Sequence, residues 1–259
     1  MISGTKEWAV AEINCCIGCP HNCRYCYARI KALERGEIAE PGDWSSCRVM
    51  EEQVHCRYPF YDGQVMFPAA HDITWENIDS CLEVLEALLA AGNRVLVVSK
   101  PSPDCVGELC GRLAGYRERV LFRFTITARS DKILSFWEPG APGYDSRLKS
   151  LMYAHRRGFA TSVSIEPMLD ADDIDALVAE LLPWVSHSIW IGKMNRIERR
   201  VAVESPEIER EVARVRREQS DAGILRIYER LSGNKMIRWK ESIKEVVGLP
   251  LLTEMGQDR

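Results

Sequence analysis

No apolar run in the 259 residues approaches the roughly 18 that a membrane-spanning helix requires. The opening residues MISGTKEWAV lack the basic-then-apolar layout of a secretory leader, so the expected location is cytoplasmic, with no membrane partner. Positive charge is also short. The 34 Lys and Arg against 38 Asp and Glu leave a net −4, which provides no general field for phosphate backbones. Nucleic acid is therefore not a favoured partner, and any contact with it would have to be local. Low-complexity tracts and convincing internal repeats are absent as well, which excludes solenoids and arrays.

What remains is ordinary for a globular chain, with 46% hydrophobic and 28% charged residues, in a length that can bury a substantial core. Ten cysteines would mean disulfides in a small secreted protein. In a chain of this size without a leader, they read as reduced thiols or metal ligands.

Short β-rich runs alternate with helical stretches, the pattern of repeated βα units around a parallel sheet. Strands are expected at Trp8–Asn14, Gln64–Phe67, Arg94–Ser99, Val120–Thr127, Thr161–Ile165 and Ser188–Gly192. Helices are expected at Trp75–Ala91, Asp145–Arg157, Asp172–Leu182 and Ile208–Arg230. Six such units are too few for a closed eight-stranded barrel and suit an open, partial (β/α)6 barrel of the TIM type, an α/β fold that binds ligands at the C-terminal ends of its strands. On this reading residues 1–232 form the barrel, the irregular stretch 36–62 serves as a lid or a substrate-facing wall, and 233–259 form an extension packed on it.

The stretch GCPHNCRYCYAR, Gly18 to Arg29, carries Cys19, Cys23 and Cys26 after the first expected strand and before a helix starting near Tyr27. A structural zinc site takes four protein ligands, and His21 is the available fourth. It lies between two of the cysteines on a very short loop, so four side chains would have to converge with little backbone to bend. Three thiolates can instead hold three irons of a [4Fe–4S] cube and leave the fourth iron open.

CPHNCRYC, with aromatic Tyr25 directly before the last cysteine, resembles the cluster motif of the radical S-adenosylmethionine (radical SAM) superfamily. YCYAR and the Ser-Lys pair after the third strand resemble its spore photoproduct lyase-like group. The resemblance implies a [4Fe–4S] cluster on the three cysteines and S-adenosyl-L-methionine (AdoMet) on the open iron. It also implies an external one-electron reductant of the flavodoxin or ferredoxin type. Reductive cleavage of AdoMet would yield a 5′-deoxyadenosyl radical that abstracts hydrogen from a substrate, the protein supplying binding, orientation and exclusion of water.

A cofactor there requires polar residues at the strand ends, and the sequence has them: His71-Asp72, Ser99-Lys100, Thr125, Thr127, Arg129, Glu166, Lys193 and Asn195. Lys100 is the preferred partner for the methionine carboxylate, with Lys193 behind it, and Glu166 is suited to the amine or ribose hydroxyls. Ser99, Thr125, Thr127 and Asn195, with Tyr25, complete the expected cofactor set. Catalytic candidates are His71 as a proton relay with Asp72, Arg129 for an anionic substrate, and Cys56 as a hydrogen donor from the lid. Two departures count against lesion repair itself. Phe67-Pro-Ala-Ala-His71 replaces the superfamily's Gly-Gly-Glu, and Ala69 and Ala70 stand where a hydrogen-donor cysteine is expected.

Overall fold

The computed structural model describes residues 2–257. Its strands, in chain order, are β1 (Ala11–Glu12), β2 (Cys16–Ile17), β3 (Arg48–Val49), β4 (Gln64–Phe67), β5 (Arg94–Ser99), β6 (Val120–Thr125), β7 (Ala160–Ile165), β8 (Ser188–Ile191) and β9 (Ile237–Trp239). Seven form one sheet in the order β1-β4-β5-β6-β7-β8-β9, and β2 and β3 form a separate antiparallel pair. Each neighbouring pair in the large sheet is parallel, from Ala11 opposite Val65 through to Ile191 opposite Trp239. The expected partial barrel is thus present with one strand more. The addition comes from the segment read as an extension, whose three-residue strand IRW is too short to register as a β pattern.

The alternation of side chains along each strand divides the sheet into two faces. On one, Val65, Phe67, Val95, Val97, Phe122, Phe124, Val163 and Ile165 pack with the helices in the main core. On the other, Met66, Leu96, Leu121 and Trp190 join Trp8 inside the barrel. Two cations sit among these indoles. Arg123 lies 4.6 Å from the Trp8 ring and 5.5 Å from that of Trp190, and Lys240 lies 4.3 and 5.7 Å from the same rings. Burial of both charges is offset by cation–π contact and by specific partners. Arg123 Nε donates to Ser162 Oγ at 3.0 Å, and Lys240 Nζ pairs with Glu7 at 2.6 Å.

Helices come where the apolar spacing predicts, with adjusted ends. Ile78–Ala90 and Tyr144–Arg156 lie close to their expected ranges, and Ile174–Leu181 falls inside its own. The single helix expected over Ile208–Arg230 is in fact two, Pro206–Glu218 and Asp221–Leu231. Ser220 ends the continuity by capping the second, its Oγ accepting from the Gly223 N–H at 3.3 Å, an N-cap that outweighs the apolar periodicity.

The stretch 36–62 carries structure of its own. Trp44 is buried within it, and β3 pairs with β2, so the segment is a wall built against the cysteine loop. Cys19 N–H donates to the Trp44 carbonyl at 2.7 Å. Gly18 takes φ +96°, and a Cβ there would stand 2.0 Å from the Ser46 carbonyl oxygen, backbone that cannot move aside. Gly18→Ala is therefore expected to cost roughly 2–4 kcal/mol from left-handed strain plus overpacking, read as a lower urea midpoint.

Candidate cofactor and metal site

Residues further along the inward face, past the buried cations, open into a cleft of about 810 Å³ at the C-terminal ends of the strands. Val98, Lys100, Thr125, Ser164 and Glu166 line it from β5, β6 and β7 and the residues directly after them, and Lys193 and Asn195 follow β8. Cys19, Tyr25, Cys23 and Cys26 enter from the loop after β2. One cavity therefore brings together the three cysteines and six of the expected cofactor residues.

The loop is held from both sides. Opposite Trp44, Gly140 N–H donates to the His21 carbonyl at 3.1 Å and Arg24 N–H to that of Trp137 at 2.9 Å. Behind Tyr25 lies a fully buried ion pair, Arg147 to Glu138 at 2.5 Å, and the Tyr25 hydroxyl donates to the same carboxylate. Thr127 Oγ1 donates to it at 3.0 Å, so this expected cofactor residue is spent on the support. Tyr25 lines the cleft with its ring and anchors the loop through its hydroxyl.

At the floor, Asp72 gathers donors from four residues on two segments. Its carboxylate accepts from Lys100 N–H at 2.6 Å, Lys100 Nζ at 3.3 Å, Ser99 Oγ at 3.0 Å and His21 Nδ1 at 2.9 Å, with Cys19 Sγ at 3.7 Å. Burial works against its charge, but the Lys100 ammonium and His21 outweigh burial and hold its pKa well below the carboxylate range. Burial likewise disfavours the Lys100 charge, and the Asp72 carboxylate, helped by that of Glu138, reverses this, so Lys100 is a firmly held cation. Sequence reasoning assigned Asp72 only to a relay with His71.

Burial raises all three loop thiols. Cys23 is pushed up to about 12, Cys19 stands well above its usual value, and Cys26 is raised. The metal-free loop therefore carries neutral thiols, and loading a metal must release their protons. All three are free of disulfides. Among the described residues, ligand atoms closing to within 4.8 Å of one another in groups of three are those of Cys19, His21 and Asp72, and of Cys15, Cys16 and His71. The three loop thiols do not close that far, whereas a tetrahedral zinc with bonds of about 2.3 Å needs sulfurs about 3.8 Å apart. His21 is turned to Asp72, so it does not complete a zinc set with them. A donor set of three separated soft thiols on one wall suits a cluster that spreads its ligands over different irons.

Four expected site residues lie outside the cleft. Ser99 shares the outward face with Val95 and Val97 and reaches only Asp72 and the Ile73 N–H. Arg129 is turned to solvent, paired with Asp173 at 3.3 Å and Glu180 at 2.9 Å. Cys56 donates to the Gln53 carbonyl at 3.4 Å, away from the cavity. Thr127 is the fourth, as above. His71 borders the cleft, but burial pushes it down to about 4, and it is neutral at physiological pH. Its Nε2 accepts from Cys15 N–H at 3.2 Å while Nδ1 donates to the Asp72 carbonyl at 3.1 Å, a bracing role in place of a proton relay.

Glu166, Lys193 and Asn195 do border the cavity, each with a partner from the C-terminal region. Lys240 Nζ is 3.7 Å from Glu166, Lys193 Nζ is 3.7 Å from Asp221, and Asn195 Nδ2 donates to Glu241 at 3.2 Å. Arg196, Arg199 and Arg200 also line the mouth, three cations that the strand-end search did not reach.

No protein-family model matches the chain. An uncharacterized protein of Acidianus two-tailed virus is 26% identical over 191 residues, covering 69% of this chain and 61% of its own length. Among solved structures, a spore photoproduct lyase variant with bound AdoMet and dinucleoside spore photoproduct superposes with a TM-score of 0.53 at 18% identity, over 79% of this chain and 60% of that one. Another variant of the lyase gives 0.56 at 16% identity, over 92% and 78%. The chain thus spans about 60% of the length of the viral relative and of the AdoMet-bound lyase. The likeness establishes the fold alone, a partial barrel like that of these lyase structures.

Proposed function

We propose that this partial barrel is a radical SAM enzyme, with Cys19, Cys23 and Cys26 holding three irons of a [4Fe–4S] cluster and AdoMet lying in the adjoining cleft. The observation that carries the reading is a single cavity in which three separated, disulfide-free thiols face a buried lysine at the strand ends of this fold. Bound together, a reduced cluster and AdoMet supply a 5′-deoxyadenosyl radical that takes hydrogen from a substrate. An external flavodoxin- or ferredoxin-type reductant would deliver the electron.

The chain's own residues bind and orient. Lys100, held by Asp72 beside the cysteine loop, offers a fixed positive charge to the methionine carboxylate, and Glu166 offers acceptors to the amine or ribose hydroxyls. Thr125 and Asn195, on the same cavity wall, are the further polar contacts. Tyr25 and Trp44, both buried, keep water from the thiols. Lesion repair is the less favoured chemistry, since Ala69 and Ala70 line the cleft at the place of the expected hydrogen-donor cysteine.

Anaerobic reconstitution with iron and sulfide, followed by AdoMet and dithionite, should produce broad visible iron–sulfur absorption and 5′-deoxyadenosine. Absence of either result sinks the proposal. Lys100→Met should keep the cluster absorption while weakening AdoMet binding roughly 10- to 100-fold, the loss of one charge-assisted hydrogen bond. Unchanged affinity would remove Lys100 from the cofactor site.

A further inference from the structure

A second group of sulfur ligands lies beneath the cysteine loop, made of thiols outside that loop and of the histidine expected to be a relay. Cys15 and Cys16 come from the chain just before the loop, His71 from the segment after β4, and Cys81 from the helix Ile78–Ala90. Cys15 Sγ stands 3.8 Å from each of Cys16 Sγ, Cys81 Sγ and His71 Nε2. All four residues are buried and every cysteine is free.

We propose that Cys15, Cys16 and His71 bind one divalent cation of the zinc type and draw in Cys81, beside Cys15, as the fourth ligand, so that the ion clamps the base of the cysteine loop to the barrel wall. The spacing is the first argument. Metal–sulfur bonds of about 2.3 Å in a tetrahedron place their sulfurs about 3.8 Å apart, the separation of Cys15 from Cys16 and from Cys81. The ligand atoms of Cys15, Cys16 and His71 already close to within 4.8 Å of one another, which those of Cys19, Cys23 and Cys26 do not, and Cys81 has only to turn from Cys15 toward the ion.

The histidine is the second argument. Cys15 N–H donates to Nε2, so Nε2 carries the lone pair, and Nδ1 carries the proton it gives to the Asp72 carbonyl. A ring nitrogen facing sulfur, with the opposite N–H fixed on a carbonyl, is the arrangement that orients a ligating imidazole. On binding, the three thiols lose their protons to solvent and His71 stays neutral. The Cys15 N–H passes from Nε2 to a thiolate sulfur. Cys47, half-buried and accepting from Asn77 Nδ2 at 3.5 Å, lies beside Cys16.

The test uses the full chain with Cys19, Cys23 and Cys26 all changed to Ala, stripped by chelator and titrated with Co(II) alone, then with Zn(II) alone. The expected result is one equivalent of Co(II) with tetrahedral d–d bands and sulfur-to-cobalt charge transfer of three-thiolate intensity, displaced by Zn(II). Failure to bind, a weak octahedral spectrum, or charge transfer of one thiolate or fewer overturns the proposal. So does a metal-free protein lighter by two hydrogens, which would mean a disulfide. In the same background Cys81→Ser and His71→Ala should each weaken binding at least roughly tenfold, and Cys47→Ser should keep the stoichiometry. The reverse pattern overturns the ligand set. If Cys81→Ser does not fold, the parent spectrum decides by its thiolate count. None of these measurements depends on AdoMet cleavage, so the site stands or falls separately from the enzymatic reading.

Discussion

Cys23→Ala is expected to abolish visible iron–sulfur absorption and 5′-deoxyadenosine formation together, down to the level of a cluster-free control. Cys23 is 5% exposed, joined to Cys26 by a turn in which Cys26 N–H donates to its carbonyl at 3.1 Å. Its removal leaves two thiols on the wall, and His21, committed to Asp72, is not free to substitute. The contrast is Cys110→Ala, which removes an equally buried thiol packed in the main core and should leave both signals intact. Residual 5′-deoxyadenosine in Cys23→Ala above the control would show that the ligand assignment is wrong.

The largest expected effect on stability is that of Arg147→Met. Arg147 and Glu138 are both fully buried, and removing the cation leaves an uncompensated carboxylate, a loss of about 3–5 kcal/mol. Against a typical total of about 5–15 kcal/mol this is a large fraction, visible as a much lower urea midpoint. Because Glu138 also accepts from Tyr25 and Thr127, the variant should load less iron even where it folds. Arg147→Met with Glu138→Gln should recover part of the stability, since no unpaired charge remains. Equal stability of wild type and Arg147→Met would mean that the pair does not support the loop.

Much of this was legible in the amino-acid order. Three cysteines in eight residues announced the loop, and β-rich runs separated by amphipathic stretches announced the parallel barrel. Lys100 and Glu166 could be placed in the cleft because strand ends are where such folds bind. Ser99 was a readable error, since in RVLVVS it has the parity of Val95 and Val97, which pack outward. The cap at Ser220 was readable too. Arg147 was not: its position within a helix carries no sign that Glu138 waits beside it. Arg129 likewise follows a strand as expected, and only the packing shows it turned to Asp173 and Glu180. The grouping of Cys15 with Cys81 depends on residues 66 apart, which spacing cannot reveal.

The two-faced strands carry a further consequence, for how the molecule can change. Along β5, β6 and β7 the residues that hold the helices alternate with those that line the cleft. Substitutions at Val98, Thr125 and Ser164 can therefore retune the cavity while the neighbouring outward positions preserve the fold. Insertions are a different matter, because one extra residue within β5 would exchange the two sets and point Lys100 into the core. Lineages of this fold should accordingly diversify by exchange at every second strand position, and should confine changes in length to the connections.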